Sequence, residues 1–162
     1  MGLLSKKNKP SQKAYAVVTG AGSGIGRSFA LELAKRGGDV ICADIDLSSA
    51  QETVDLIQSM TSTSAYAVHC DVGLKESVHA LAEQAEQLLG HPVTLLINNA
   101  GVGLGSKFDE VSLEDWRWCM HVNLWGVIHG CHYFVPKFKQ QGFGAIINVA
   151  SAAGYTAAPE MT

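Results

Sequence analysis

The chain has no apolar run near the roughly 18 residues needed to span a bilayer. No apolar leader opens it, because lysines begin at Lys6. The Met1-Gly2 start lacks the Ser or Thr that myristoylation asks for, since position 6 is Lys6. Cysteine is scarce: Cys42, Cys70, Cys119 and Cys131 form no C-x-x-C pair. Cys42 and Cys70 sit in apolar runs, which reads as buried free thiols in a reducing compartment. Aromatic residues are 7% of the chain, no long basic stripe interleaves them, and the net charge is −3. That balance excludes an electrostatic footprint for nucleic acid. His129-x-x-His132 with Cys131 lacks a third ligand, so these are packed helix residues and no metal is expected. The expectation is a soluble, cytoplasmic protein without nucleic-acid or membrane partners.

Glycine, by contrast, is plentiful at 17 residues, and it is concentrated where it carries meaning. The apolar run Tyr15–Thr19 feeds into G-A-G-S-G-I-G at Gly20–Gly26, and an amphipathic helix pattern follows. Glycines at such a turn let another molecule approach the main chain. The helix behind it presents free N–H groups and the positive end of its dipole, which suits a phosphate. The spacing is T-G-x-x-x-G-x-G, at Gly20, Gly24 and Gly26, and not G-x-G-x-x-G.

Strand and helix signals alternate from there on. The first helix carries Ile25, Phe29, Ala30, Leu33 and Ala34 on one face, and Gly37-Gly38 stops it. Val40–Ala43 is a second strand ending at Asp44. Ser49 with Glu52 is expected to cap a helix that buries Val54, Ile57 and Met60. Ala65–Cys70 is a third strand, and Leu74–Leu89 a helix with Val78, Leu81, Ala82, Ala85 and Leu88 inward. Val93–Ile97 is a fourth strand, followed by a glycine-rich loop. Ser112 opens a long helix of about seven turns, with Trp116, Met120, Leu124, Val127, Ile128 and Cys131 as its inner stripe. Trp118 and Trp125 read with Trp116 as packing of that helix. Ala145–Val149 is a fifth strand, expected as an exposed apolar edge. The pattern predicts an α/β fold: a doubly wound parallel sheet of five strands with helices on both faces; the strand order expected for it is 3-2-1-4-5. Ligands then bind at the carboxyl ends of the strands, where the strand order reverses. Residues 1–13 read as a flexible basic tail and residues 14–162 as one dinucleotide-binding domain.

Asp44 ends the second strand, where a carboxylate accepts hydrogen bonds from an adenosine ribose and repels a 2′-phosphate. NAD is therefore expected over NADP.

Five motifs in register carry a resemblance: T-G-A-G-S-G-I-G at Thr19–Gly26, C-D-V at Cys70–Val72, N-N-A-G at Asn98–Gly101, V-N at Val122–Asn123 and S-A-A-G at Ser151–Gly154. In this order and spacing the chain resembles the short-chain dehydrogenase/reductase family from about Ala14 onward. The resemblance implies hydride transfer between a nicotinamide cofactor and a small alcohol or carbonyl substrate. It implies that Gly20, Ser23, Gly24, Ile25 and Gly26 line the pyrophosphate and that Asp44 holds the ribose. Asp71 and Val72 would flank the adenine, and Ala100 and Gly101 would pass close to the cofactor. Asn98, counted with the cofactor site, would mainly tie the fourth strand to its neighbours. Asn123 would hold a proton-relaying water, and Ser151 would orient the substrate oxygen. The family's acid–base tyrosine belongs to a Y-x-x-x-K pair about a dozen residues beyond the serine. No such pair follows Ser151 here: Tyr155 is followed four positions on by Pro159. Pro159–Thr162 resembles the run leading into that tyrosine. The expectation is a cofactor-binding portion cut before its base, with little activity, whose full-length parent is a homo-oligomer. A non-enzymatic dinucleotide-binding or interaction module is the alternative left open.

Overall fold

The computed structural model describes residues 9–156. Lys6 and Lys7 of the basic tail, and the Pro159–Thr162 run with the carboxyl end of the 14–162 domain, lie outside the described residues.

Five parallel strands form one sheet: β1 (Tyr15–Thr19), β2 (Asp39–Asp44), β3 (Ala65–His69), β4 (Leu95–Asn98) and β5 (Ala145–Asn148), in the order β3-β2-β1-β4-β5. Between them run helices α1 (Gly24–Lys35), α2 (Leu47–Met60) and α3 (Lys75–Leu89). After β4 come α4 (Leu113–Met120), a π-helical stretch (His121–Trp125) and α5 (Gly126–Gln141). These last three are contiguous and make the long helix expected from the sequence.

Alternation along the strands divides the core in two. Val18, Val40, Cys42 and Ile97 pack with Ala30, Leu33, Val54 and Ile57 of α1 and α2. Val17, Ile41 and Leu96 pack on the opposite face with Val78, Leu81 and Ala85 of α3 and Phe134 and Phe138 of α5. Successive strand side chains point to opposite faces, so strands buried on both read as continuous apolar runs. β5 is one of the two edge strands, opposite β3, and Ile147 beside its carboxyl end is 43% exposed.

Several local expectations change. Asp46, and not Ser49 with Glu52, caps α2: its side chain accepts from the Ser48 and Ser49 amides. Met60 is exposed at the last turn, and on α3 it is Leu89 rather than Leu88 that is buried. Ile25, assigned to the buried face of α1, is 64% exposed.

The long helix differs most. Its inner positions are Gly126, Gly130, Phe134 and Phe138, whereas Met120, Leu124 and Ile128 are exposed. The two glycines explain the rotation, because they let the helix backbone close on the loop after β3 and on the end of β4. A Cβ on Gly126 would stand 2.8 Å from Val72 Cγ2, and one on Gly130 would overlap the Asn98 side chain.

Candidate functional site

The strand order reverses between β1 and β4, so the loops leaving their carboxyl ends diverge there and leave a crevice. A cavity of about 400 Å³ occupies that end of the sheet. Gly20 and Ser23–Gly26 line it, with Asp44 and Ile45 after β2, Cys70–Val72 after β3 and Asn99–Val102 after β4. Trp118 and Val122 close it from the long helix.

The glycine turn is built by short-range contacts that leave no room for a side chain at Gly20, Gly22 or Gly26. Gly20 has a φ of 65°, a left-handed conformation that favours glycine. Thr19 Oγ1 accepts from the Asn99 and Ala100 amides at 3.0 and 3.1 Å. Asn99 Nδ2 returns bonds to the Thr19 and Gly20 carbonyls at 2.9 and 3.3 Å. These bonds fasten the turn after β1 to the loop after β4. A Cβ on Gly26 would fall against the Gly20 carbonyl, so α1 begins in contact with the turn it follows. Gly24, with φ 53°, faces open space: a Cβ there would meet nothing within 4 Å.

The start of α1 is open to a ligand. Ser23 is its N-cap residue and makes no side-chain capping bond, whereas Asp46 caps α2 and Ser112 caps α4. The first-turn amides of a helix have no intrahelical acceptor. They and the helix dipole favour an anion at this position.

Asp44 is fixed on both oxygens. Oδ2 accepts from the Gly22 amide at 2.8 Å and Oδ1 from the Asp46 amide at 3.0 Å. A carboxylate carries about four acceptor positions, so each oxygen keeps capacity for a further donor. Arg27 braces the same corner. Its guanidinium bonds the Gly22 carbonyl, the Ser49 carbonyl at 3.3 Å, Thr53 Oγ1 at 2.9 Å and Glu52 at 3.0 Å. Thr53 in turn donates to the Ala21 carbonyl at 2.8 Å. Asp71 Oδ1 accepts from the Gly73 amide at 2.9 Å and shapes the loop after β3. Burial pushes the neighbouring Cys70 thiol up to about 11, so it is no nucleophile at neutral pH.

The structure brings together ten of the sequence-assigned residues around the cavity: Gly20, Ser23, Gly24, Ile25, Gly26, Asp44, Asp71, Val72, Ala100 and Gly101. The exposure of Ile25 follows from its position on the cavity rim. Asn98 does not line the cavity. It is buried beneath α5 and donates to Asn148 Oδ1 at 2.8 Å, which ties β4 to β5. Asn123 sits in the π-helical stretch, and its side chain is committed to Val102: Oδ1 accepts from the amide at 2.9 Å and Nδ2 donates to the carbonyl at 2.8 Å. It braces the loop after β4 from behind. Ser151 follows β5 at the same carboxyl end of the sheet, outside the cavity lining, with Oγ accepting from the Ala153 amide at 3.1 Å.

Sequence reasoning missed Asn99, Arg27 and Trp118. Asn99 is the second residue of the N-N-A-G motif, adjacent to the one chosen. Arg27 directly follows the glycine turn, where its chain is long enough to reach α2. Trp118 shares a helix face with Val122 at i, i+4 spacing. Among the described residues no group of three or more His, Cys, Asp or Glu stands ready for a metal ion, and no helix is long and apolar enough to cross a membrane.

A doubly wound parallel sheet with a glycine turn, an open helix start and a strand-end carboxylate around one crevice defines a Rossmann-type domain. Comparison with known proteins narrows the class: the family model described as short chain dehydrogenase matches residues 14–162. The chain belongs to that family of oxidoreductases. It is 42% identical over 148 residues to a cyclohexanol dehydrogenase of Acinetobacter sp. (strain SE19), covering 91% of this chain and 58% of that protein. It is 35% identical over 138 residues to the 7alpha-hydroxysteroid dehydrogenase of Escherichia coli (strain K12), covering 85% and 53%. A crystal structure of a short chain dehydrogenase/reductase from Burkholderia phymatum in complex with NAD superposes with a TM-score of 0.88 at 40% identity, covering 94% of this chain and 54% of that one. The chain spans little more than half the length of these relatives.

Proposed function

We propose that this chain is the cofactor-binding part of a short-chain oxidoreductase that transfers a hydride between a nicotinamide dinucleotide and a small alcohol or carbonyl compound, with NAD preferred over NADP. One observation carries the reading: the uncapped start of α1 and the Asp44 carboxylate line the same cavity at the strand-order reversal. The empty space at Gly24 fits a diphosphate, and the free acceptor capacity of Asp44 fits two ribose hydroxyls. A bound nicotinamide supplies the hydride acceptor or donor.

The chain's own residues bind and orient. The amides from Gly24 to Gly26 hold the diphosphate. Asp44 accepts from the adenosine ribose and disfavours a 2′-phosphate by charge, while Asp71 and Val72 flank the base. Ala100 and Gly101 shape the cavity wall beside the cofactor, and Asn123 fixes that wall through Val102. Ser151 hydrogen-bonds the substrate oxygen, stabilising negative charge that develops there. The relatives that act on a cyclic alcohol and a hydroxysteroid support an alcohol or carbonyl substrate class.

Fluorescence titration with NADH and NADPH tests the reading. NADH is expected to bind the more tightly. Asp44→Ala removes charge-assisted hydrogen bonds of about 2 kcal/mol. It therefore weakens NADH by roughly 30-fold and narrows or reverses the preference over NADPH. An Asp44→Ala chain that binds both cofactors as the unmodified chain does contradicts the assignment. An alcohol/ketone assay of the 162-residue chain separates the second part of the claim: little or no turnover is expected without the Tyr-Lys pair, and turnover at ordinary family rates refutes it.

A further inference from the structure

We propose that Trp118 forms one wall of the base-binding end of the cavity, so that its indole ring stacks on the adenine. The proposal rests on the dinucleotide reading above and extends it to a residue outside the motifs that carried that reading.

The three tryptophans are not equivalent. Trp116 packs on Phe108 with ring centroids 5.5 Å apart, and Trp125 on His129 at 5.8 Å. Among the described residues Trp118 has no ring partner, and its side chain is 49% exposed while lining the cavity. Leaving half of so large an apolar surface in water forfeits much of the stabilisation its burial brings. A planar ligand on that face recovers it.

The placement selects the base over the rest of the cofactor. The long helix runs along the loop after β3: His121 Cβ lies 3.4 Å from the point a Cβ on Gly73 would take, and Gly126 abuts Val72. Trp118 stands one turn before Val122 on the same helix face, three residues before the His121 that meets Gly73, and both line the cavity together with Asp71 and Val72. Val72 and Val122 offer an aliphatic floor, and Trp118 adds an aromatic wall. Aromatic stacking on a base tolerates any base and needs no charge. Unlike the start of α1, this wall offers neither a helix N-terminus nor, among the described residues, a cation, so a phosphate is a poor occupant here.

The test uses AMP, which carries the base without the nicotinamide, and NADH. In the chain carrying Trp116→Phe and Trp125→Phe, Trp118 is the sole tryptophan, and its emission should be quenched saturably by AMP. In the otherwise unmodified chain, Trp118→Ala should weaken both AMP and NADH at least about five-fold, read from NADH's own fluorescence and from AMP competition against it. Trp118→Phe should restore most of that affinity, which a loss of fold would not allow. Unaltered NADH and AMP affinities in Trp118→Ala overturn the proposal and leave the dinucleotide reading standing. So does Trp118 emission that ignores saturating AMP while NADH still binds. Failure of the unmodified chain to bind NADH at all overturns both.

Discussion

Gly24 and Gly26 sit two residues apart in one turn, yet alanine at each should fail in different ways. At Gly24 the strain is conformational. Its φ is 53°, and a Cβ would meet nothing within 4 Å. Holding a residue with a Cβ in the left-handed region costs about 1–2 kcal/mol. For a domain of this size each kcal/mol is about 2–4 °C of melting temperature. Gly24→Ala should thus lower Tm by about 2–8 °C and keep the fold. Its methyl group, however, enters the space beside the open helix start, and NADH affinity should fall about ten-fold or more, equivalent to at least about 1.4 kcal/mol.

At Gly26 the obstacle is the backbone itself. A Cβ there would stand 2.0 Å from the Gly20 carbonyl oxygen and 2.5 Å from Asn99 Nδ2. Ordinary contact requires α1 to retreat by more than about 1 Å, an overpacking cost of about 1–3 kcal/mol or more. The retreat also loosens the Asn99 bonds to the Thr19 and Gly20 carbonyls, each worth about 1 kcal/mol. The total of about 3–5 kcal/mol corresponds to a fall of about 6–20 °C. Thermal melts by circular dichroism, paired with NADH titration, read both effects. Equal destabilisation by the two variants, or a Gly24→Ala chain with unaltered NADH affinity, refutes the reasoning.

Arg27→Met removes the guanidinium that joins the glycine turn to α2, so NADH affinity should fall several-fold with a smaller change in Tm; an unchanged affinity, checked by the same titration, counts against its bracing role. Hydrogen bonds from Ser48, then Ser49, hold the Asp46 carboxyl down at about 2. A depressed carboxyl contributes stability that is fully present above its unfolded value near 3.9 and is lost as pH falls through about 2. Asp46→Ala should therefore melt lower than the unmodified chain at neutral pH, and the gap should close over that acidic window; a gap independent of pH removes Asp46 as the cap. Burial pushes the Cys42 and Cys70 thiols up to about 12 and about 11, so a thiol reagent at pH 8 should reach Cys119 and Cys131 first. Prompt labelling of Cys42 in the folded chain, mapped by mass spectrometry, contradicts the packing described.

The strands were legible because burial on both faces forces continuous apolar runs such as Tyr15–Thr19, and the alternation of strand and helix made the sheet parallel. The glycine turn and Asp44 were legible because their chemistry is local. What escaped the sequence depended on distance. Asp46 outcompetes Ser49 as the cap because its carboxylate reaches two amides at once. The long helix was assigned its large apolar residues as the inner face, but Gly126 and Gly130 carry no hydropathy signal and yet decide the contact with Val72 and Asn98. Asn98 and Asn99 have the same side chain. Only the sheet register shows that one is committed to Asn148 and the other to the glycine turn. Trp118 looked like core for the reason Met120 did: a helix pattern marks a face as apolar without saying whether protein covers it.

The most direct test of the central claim is amide hydrogen exchange, followed residue by residue with and without saturating NADH. The account predicts slowed exchange at Gly24, Ile25 and Gly26 and around the Asp44 strand end, with little change on the far side of the sheet at Lys137 and Gln141. NADH that binds while leaving the amides of Gly24–Gly26 exchanging at their free rate contradicts it.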